Sequence, residues 1–295
     1  MTIDRRQFLK LSALGGGAVL ASSLPGCAGL SASEPDFYFV QLSDSHWGFQ
    51  GPKVNPDARG TLPKAVAAVN ALAEPPDFVI FTGDLTHTTD DGAERRKRLA
   101  EFKQVASGLK CPVVRFMPGE HDASLDRGVA WKEFFGETHY TFDHKGVHFI
   151  AIDNVSDPAA RIGEEQLSWL KADLERQPKD ARIVVFTHRP LFDLAPQWDW
   201  ATRDGAQAIA LLEPYRNATV FYGHIHQEHH HVTGQLAHHS AKSLIFALPA
   251  PGSQPKREPI AWDAAQPHKG LGFREVENEA RSAKFAITEY PVDKA

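Results

Sequence analysis

Short apolar runs that end in polar, chemically active side chains recur along the chain. They occupy residues 37–40, 77–84, 113–117, 183–186 and 219–222. Each run has the length of a strand. None shows the alternation of apolar and polar residues that is typical of a strand with one face in water. The pattern therefore predicts strands buried on both faces of a mostly parallel sheet. The carboxyl ends of such strands meet at one edge, where open α/β sheets bind ligands.

The segments between these runs have helical spacing. Apolar residues recur every three or four positions across residues 62–72 and 167–174, which predicts alternating βαβ units. Residues 140–154 instead predict a hairpin, and with it a second sheet. Three further strands are predicted near the C-terminus, at residues 243–248, 272–276 and 284–289.

Composition and charge favour one globular domain over residues 34–295. The chain has 295 residues, of which 42% are hydrophobic and 23% charged, enough for one large core. A net charge of −5 argues against a broad basic surface, and no nucleic-acid-binding surface is evident. The basic residues 95–98 are flanked by Glu94 and Glu101 and are interpreted as a solvated helix face.

The first 33 residues have the pattern of an export signal. Residues 4–10, Asp-Arg-Arg-Gln-Phe-Leu-Lys, resemble a twin-arginine signal, and the Gly-rich apolar stretch that follows is too short for a stable membrane-spanning helix. Leu24-Pro25-Gly26-Cys27 resembles a lipoprotein processing site that would leave a lipid anchor on Cys27, whereas residues 31–33 offer an ordinary cleavage site. We therefore expect a twin-arginine-type signal peptide at residues 1–33, use of the export machinery, and a periplasmic protein or membrane-anchored lipoprotein.

Carboxylates and imidazoles follow the predicted strands. Three carboxylates and four imidazoles suit Zn, Mn or Fe. Seven ligands are too many for one tetrahedral ion, but two ions about 3.5–4 Å apart that share one carboxylate would use them all. Such a pair would clamp a bridging hydroxide for in-line attack on phosphorus. The predicted metal ligands are Asp44, His46, Asp84, Glu120, His188, His224 and His226.

This ordered series resembles that of the calcineurin-like metallophosphoesterase superfamily. The matching elements are Asp44-Ser45-His46, Gly83-Asp84, Gly119-Glu120-His121-Asp122, His188 and Gly223-His224-Ile225-His226. The resemblance covers residues 37–226. It implies an α/β fold in which a two-sheet β-sandwich is flanked by helices, a four-layer αββα arrangement, with a dinuclear metal site.

The resemblance also implies a role for each residue. Asp44, His46 and His226 would hold one ion, and Glu120, His188 and His224 the other. Asp84 would bridge the two ions. His121 would protonate the leaving oxygen or stabilise the phosphoryl charge, and Asp122 would orient His121.

Glu120 departs from the family pattern, which usually has Asn at this position. Two divalent ions, three carboxylates and a hydroxide carry no net charge together, whereas Asn would leave one positive charge. A neutral site would prefer a monoanionic phosphodiester, or it would use trivalent iron to restore the charge. Alternatively, Glu120 replaces Asn with little change in chemistry, or the enzyme is impaired.

Several residues near the predicted ligands are candidate substrate contacts. Trp47, Phe49, Trp198 and Trp200 lie in loops that follow ligand strands, where they could stack on a planar group or simply pack the loop. Arg189 could meet a phosphate or brace the turn before Pro190.

Two function classes follow from these residues. The favoured one is an exported, dinuclear-metal-dependent hydrolase, a phosphodiesterase or phosphatase, acting on a small phosphoester. The alternative is a non-catalytic, membrane-tethered metal- or phosphate-binding protein in which Glu120 has altered the site. The presence of His121 and Asp122 favours the enzyme.

Overall fold

The computed structural model describes residues 36–278 and 284–293. Its strands are β1 (Phe37–Leu42), β2 (Phe78–Thr82), β3 (Val114–Met117), β4 (Tyr140–His144), β5 (Val147–Ala151), β6 (Arg182–Phe186), β7 (Asn217–Tyr222), β8 (His229–Thr233), β9 (Leu236–Ser240), β10 (Gly272–Asn278) and β11 (Phe285–Pro291). Its helices are α1 (Thr61–Asn70), α2 (Gly92–Ala106), α3 (Glu120–Ala123), α4 (Val129–Phe135), α5 (Glu164–Leu174) and α6 (Gly205–Leu212), with one 3-10 turn at Pro196–Trp198.

The strands form two mixed sheets. The first has the order β11-β10-β1-β2-β3 and the second the order β4-β5-β6-β7-β9-β8. The five strands predicted from the apolar runs all belong to parallel ladders, and β4 and β5 form the predicted antiparallel hairpin. Of the remaining strands, β10 pairs antiparallel with β1 and β11, and β8 pairs antiparallel with β9, whereas β9 pairs parallel with β7.

Side chains on alternate positions of the central strands fill different layers. In β2, Phe78 and Ile80 lie between the two sheets, whereas Val79 and Phe81 face the layer that contains α1, α2 and α4. In β6, Val184 and Phe186 face the same inter-sheet layer, and Ile183 and Val185 pack towards α5 and α6. Each sheet is therefore buried on both faces, which explains the continuous apolar runs and confirms the four-layer αββα fold.

The strand predicted at residues 243–248 is wrong. This segment forms only an isolated bridge between Ser243 and Leu271. Both backbone groups of Ile245 are bonded by side chains instead of by a neighbouring strand: Ser243 Oγ accepts from Ile245 N at 2.9 Å, and Asn55 Nδ2 donates to Ile245 O at 2.7 Å. These local bonds leave residues 241–271, between β9 and β10, as one long loop.

The basic residues 95–98 lie on α2, as expected, but Arg95 is only 7% exposed and is not part of a solvated face. Arg95 pairs with Asp126 at 2.8 Å and Arg96 pairs with Glu133 at 2.6 Å. The run thus belongs to a helix face with acidic partners.

The predicted signal peptide at residues 1–33 lies outside the described residues and stays a prediction, as does the lipid anchor on Cys27. Within residues 36–278 and 284–293, no helix is both long enough and apolar enough to cross a bilayer.

Candidate metal centre

The loops after β1 and β2 bring the first carboxylates of the site together. Asp44 N donates to Gly83 O at 3.0 Å, and His46 N donates to Asp84 O at 2.9 Å. These bonds continue the β1–β2 pairing past the strand ends. The same edge receives His188 after β6 and the Gly223–His226 turn after β7, because the two sheets are packed face to face.

The backbone of these loops is strained where the predicted ligands sit. Asp44, His46, Asp84, His224 and His226 all have positive φ, between 41° and 66°. This left-handed region costs a residue with a Cβ about 1 kcal/mol or more, and it persists only where the surroundings enforce it. Five of the seven predicted ligands therefore lie in a backbone conformation that is typical of functional sites.

A first cluster consists of Asp44, His46, Asp84 and His226, all buried. His226 Nε2 lies 3.3 Å from Asp44 Oδ1, and His46 Nε2 lies 3.5 Å from Asp84 Oδ2. The two imidazole Nε2 atoms are 3.1 Å apart. Nitrogen and oxygen atoms therefore face one small volume from several directions.

A second cluster consists of Asp84, Glu120, His188 and His224. Glu120 lies 2.9 Å from both His188 Nε2 and His224 Nδ1, and Asp84 Oδ2 lies 3.4 Å from His188 Nε2. Asp84 belongs to both clusters. The structure therefore brings all seven predicted ligands together as two groups of four that share one carboxylate.

The atoms of the second cluster are close without bonding to one another. Within the described ranges, Glu120 Oε2, His188 Nε2 and both ring nitrogens of His224 are buried and have no hydrogen-bond partner. Atoms only 2.9 Å apart that lack hydrogen-bond geometry point towards a common centre rather than towards each other. A buried polar atom without a partner is costly, so this donor set fits a metal ion.

Hydrogen bonds on the far side of the rings set which nitrogen is free. His188 Nδ1 donates to Thr82 O at 2.7 Å, and His226 Nδ1 donates to Phe246 O at 2.8 Å. A neutral imidazole that donates from Nδ1 keeps its lone pair on Nε2, the atom that faces the cluster. Such outer contacts are the usual way in which proteins orient metal-binding histidines.

The ionisation of the cluster suits metal ligands. Although burial raises the pKa of Glu120, the neighbouring His224 and His188 hold it well below the usual value. Burial lowers the pKa of His224 to about 4 and that of His46 well below its usual value. His188 differs, because Asp84 and Glu120 outweigh its burial and raise its pKa well above normal. The surroundings of His188 therefore favour an added positive charge.

Two glycines of the motifs are required by close approach. A Cβ on Gly119 would lie 2.1 Å from both Asp84 N and Asp84 Oδ1. Gly83 has φ +94°, and a Cβ there would lie 2.2 Å from His188 Nδ1. Both positions therefore exclude a side chain because a predicted ligand, Asp84 or His188, occupies the space.

These observations stand beside a match to a known family. The model of the calcineurin-like phosphoesterase family matches residues 37–228, most of the chain. The chain belongs to this family. Its members are phosphoester hydrolases, so the chain is assigned to the same enzyme class.

Relatives with assigned names include phosphodiesterases. A probable cyclic nucleotide phosphodiesterase of Rhodopseudomonas palustris is 27% identical over 73% of this chain and 84% of its own length. A probable glycerophosphodiester phosphodiesterase of Arcobacter nitrofigilis is 29% identical over 51% of this chain, and the match spans only 56% of that relative.

Solved structures share the fold at low sequence identity. A purple acid phosphatase from yellow lupin seeds has a TM-score of 0.64 and 14% identity, with 88% of this chain and 52% of that chain covered. GAP50, the anchor in the inner membrane complex of Plasmodium, has a TM-score of 0.57 and 16% identity, with 88% and 85% covered.

In this calcineurin-like phosphoesterase, His121 lies beside the shared carboxylate. Its Nε2 is 3.9 Å from Asp84 Oδ2. Its Nδ1 accepts from Thr88 N at 3.1 Å, and Thr88 Oγ1 lies 2.5 Å away. Because a backbone N–H must be met by a lone pair, the proton of the neutral ring is on Nε2, towards the site.

Asp122 has partners that differ from the expected role of orienting His121. Its carboxylate accepts from Leu85 N, Thr86 N and Gly119 N, each at 2.8–2.9 Å, and from the Thr86 hydroxyl at 2.8 Å. Burial and the nearby Asp84 raise its pKa to about 6. Asp122 therefore holds the loop after β2 to the start of α3, and Thr88 is the contact that orients His121.

His87 is a site residue that the sequence reasoning missed. Its Nδ1 lies 3.2 Å from His46 Nδ1, and its ring stacks on His121 at a centroid distance of 5.0 Å. Burial and His121 lower the pKa of His87 to about 4, so the ring is neutral and its Nδ1 can accept a hydrogen bond. Acceptance from His46 Nδ1 would leave His46 Nε2 free to bind an ion. The only signal in the sequence is its place three residues after Asp84.

The tryptophans and Arg189 lie away from the cleft as packing and bracing groups. Trp198 and Trp200 are 3% and 0% exposed and pack edge-to-face. Trp47 is 8% exposed and donates from Nε1 to Glu101 at 2.8 Å. Arg189 donates to Ala201 O and to the Asp199 carboxylate and carbonyl. No exposed ring face or free guanidinium is left among these four side chains.

The cleft over the ligands is completed by a different part of the chain. Its volume is about 170 Å³, and its walls include six predicted site residues. The loop of residues 241–271 supplies the rest of the wall: Phe246, Leu248, Arg257 and Pro259. Phe246 lies 4.5 Å from His226, ring to ring. A loop of this length without regular structure is itself a sign of function.

Proposed function

We propose that this chain is a dinuclear-metal-dependent phosphoester hydrolase that prefers phosphodiesters. One observation carries the proposal: two groups of four potential ligands share Asp84, and the second group has buried atoms without hydrogen-bond partners among the described residues. A binding site for one ion would need only one of these groups. The names of the phosphodiesterase relatives support the same class of substrate.

The residues that would hold the ions follow from the clusters. Asp44, His46 and His226 would bind one ion; Glu120, His188 and His224 would bind the other; and Asp84 would bridge them. When bound, two such ions supply charge stabilisation for the phosphoryl group and an activated water as nucleophile. The chain holds its own ligands in place through the hydrogen bonds of His188 and His226 to backbone carbonyls.

His121 would act as a hydrogen-bond donor from Nε2. Thr88 N donates to Nδ1, so the N–H of the neutral ring is at Nε2 and points towards the site. This contact supports stabilisation of charge on a phosphoryl or leaving oxygen rather than transfer of a proton from imidazolium.

The preference for diesters rests on charge. With the three carboxylates of Asp44, Asp84 and Glu120, two divalent ions and a hydroxide, the centre itself would have no net charge. Arg257 lines the cleft and makes no hydrogen bond or ion pair with any residue in the described part of the chain. One unpaired guanidinium matches the single negative charge of a phosphodiester better than the two charges of a monoester.

The alternative is a non-catalytic, membrane-tethered protein that binds metal or phosphate. Glu120 favours it, because a carboxylate binds metal tightly but cannot donate a hydrogen bond to phosphate. The export signal and lipid anchor remain proposals from the sequence of residues 1–33 alone.

The test combines metal analysis with two chromogenic substrates. Purified protein is assayed for bound metal and for hydrolysis of bis(4-nitrophenyl) phosphate and 4-nitrophenyl phosphate, as wild type, as Glu120→Asn and as the exposed control Glu165→Asn. Two ions per chain, turnover of the diester in preference to the monoester, and a weaker preference in Glu120→Asn alone are expected. Two ions without turnover until Asn is introduced would support the binding protein, and a chain that binds no metal after reconstitution would contradict both.

A further inference from the structure

A second, larger cavity lies next to the catalytic cleft. Its volume is about 390 Å³, within the range of about 300–1,000 Å³ typical of pockets for small organic ligands. Phe246 lines both cavities. Its ring packs against His226 and His46 at centroid distances of 4.5 and 5.5 Å, so one of its sides touches the proposed ligands. The ring of Phe246 is therefore a wall that the large cavity shares with the cleft over the proposed metal centre.

The walls of this cavity are mainly apolar. Ile245 and Leu271 contribute buried side chains, whereas Ile260 and Trp262 remain 51% and 40% exposed. Large apolar side chains left in water in this way are a common mark of a binding surface. The charged residues of the lining, Asp263 and Lys269, have opposite signs. The lining therefore suits an uncharged apolar group and not a second phosphate.

The loop that carries these side chains is held to the body of the domain. Trp262 N donates to Lys53 O at 3.0 Å, which joins the loop to the segment before α1, and Ile260 N donates to Ala247 O at 2.9 Å within the loop itself. The opposite wall is fixed by Asn55, which is 5% exposed and donates to Ile245 O at 2.7 Å. The cavity is thus formed before a ligand arrives, which reduces the entropy that binding would cost.

We propose that this cavity is a subsite for an apolar organic group esterified to the substrate phosphate. The proposal rests on the proposed function, because it takes the adjacent cleft as the place where phosphorus binds. A phosphodiester carries two organic groups, and the cleft of about 170 Å³ has room for little beyond the phosphate itself. The second group would extend past Phe246 to Trp262, and the enzyme would select substrates by its size and hydrophobicity.

The test uses binding rather than turnover. The probes are dimethylphosphinate and benzyl(methyl)phosphinate, monoanions that resemble a diester and have no ester bond to break. Their affinities for the full, metal-loaded chain are measured by calorimetry for wild type, Trp262→Ala, Ile260→Ala and the control Leu125→Ala. Leu125 is as exposed as Ile260, at 51%, and lies outside both cavities.

We expect wild type and Leu125→Ala to bind the benzyl compound about tenfold or more tightly than the methyl compound. Trp262→Ala and Ile260→Ala should reduce this ratio towards one without changing affinity for dimethylphosphinate. Ala261→Trp, which fills the cavity instead of enlarging it, should also abolish the preference for the benzyl compound. Equal affinities in wild type, or a ratio that survives all three cavity variants, would overturn the subsite.

Hydrolysis of bis(4-nitrophenyl) phosphate by the same preparations separates the two proposals. Turnover without a benzyl preference leaves the hydrolase standing and removes the subsite. A benzyl preference without turnover keeps the subsite and removes the catalytic function.

Discussion

The ligand cluster and the loop of residues 241–271 form opposite walls of one cleft and are built in different ways. The cluster consists of buried side chains at strand ends, held by backbone hydrogen bonds and by positions that tolerate only glycine. The loop has no strand or helix and contributes exposed residues such as Arg257 and Trp262. The proposed chemistry would thus depend on rigid elements, whereas the proposed recognition of substrate would depend on a segment whose side chains can change without disturbing the sheets.

This difference predicts that substitutions in the cluster affect metal binding and turnover, whereas those in the loop affect affinity for substrate. Five variants test this division, and they follow here in order of expected effect on activity.

Asp84→Asn should have the largest effect. The shared carboxylate would lose its charge, so both groups of ligands would be weakened, and kcat/KM should fall by about a thousandfold or more. Metal analysis should show less than two ions per chain. The exposed Asp90→Asn is the control and should match wild type. Full metal content with normal turnover in Asp84→Asn would show that Asp84 is not needed by the two groups of ligands.

Gly119→Ala tests whether the ligand geometry depends on the tight approach to Asp84. The new Cβ would collide with Asp84 N and Oδ1, which should destabilise the fold by about 1–3 kcal/mol and lower turnover at least about a hundredfold. Gly92→Ala places a methyl group 3.5 Å from an Arg96 side chain at negative φ and should change neither. Thermal unfolding and kcat are measured for both. Equal stability and equal kcat in Gly119→Ala and Gly92→Ala would contradict the packing argument.

His121→Ala should lower kcat about a hundredfold while leaving two ions bound, because His121 lies beside the cluster without belonging to the two groups of four. Thr88→Val removes the hydroxyl contact to Nδ1 and should cause a smaller loss in kcat. Metal content and kcat are measured together. Loss of metal in His121→Ala would instead make His121 a ligand.

Arg257→Gln should raise KM for a diester about tenfold with little change in kcat or metal content, since only a charged hydrogen bond to phosphate is lost. Lys256→Gln changes the neighbouring exposed cation, which does not line the cleft, and serves as control. Steady-state kinetics of both variants decide the matter. A drop in kcat as large as that of His121→Ala would place Arg257 with the rigid half of the site.

Trp200→Phe should have the smallest effect on activity. Trp200 is fully buried beside Trp198, and its Nε1 has no hydrogen-bond partner among the described residues. The variant should keep kcat/KM within about twofold and lose less than about 1.5 kcal/mol of stability. Kinetics and chemical denaturation measure the two effects. A large rise in KM would return Trp200 to the substrate-contact role that the sequence suggested.

The rigid half of the site could be predicted well from sequence because each ligand follows a strand directly. Asp84 comes two residues after β2 and His188 two residues after β6, so their place was set once the strands were recognised. The loop half could not be predicted in the same way. The apolar residues 243–248 resemble a strand, but side chains of Ser243 and Asn55 take up backbone groups that a strand would pair.

The positions of the aromatic side chains also could not be predicted from the sequence. Trp198 and Trp200 follow the same strand as His188, yet they are buried among Tyr222 and Ile225. Phe246 and Arg257, which do line the cleft, carry no motif. Position along the chain locates the strand ends, but it does not specify which way a loop side chain points.

The sequence by itself determined the two-sheet fold, the strands that are followed by polar site residues, and the seven residues that converge. Hydrophobic periodicity and strand-end motifs are local properties, so a sequence displays them directly. Only the tertiary structure decided that Thr88 and not Asp122 contacts His121, that His87 faces His46, and that a loop from beyond β9 closes the cleft. These contacts join residues far apart in the chain or depend on the direction of single side chains. They arise from packing, which no short stretch of sequence encodes.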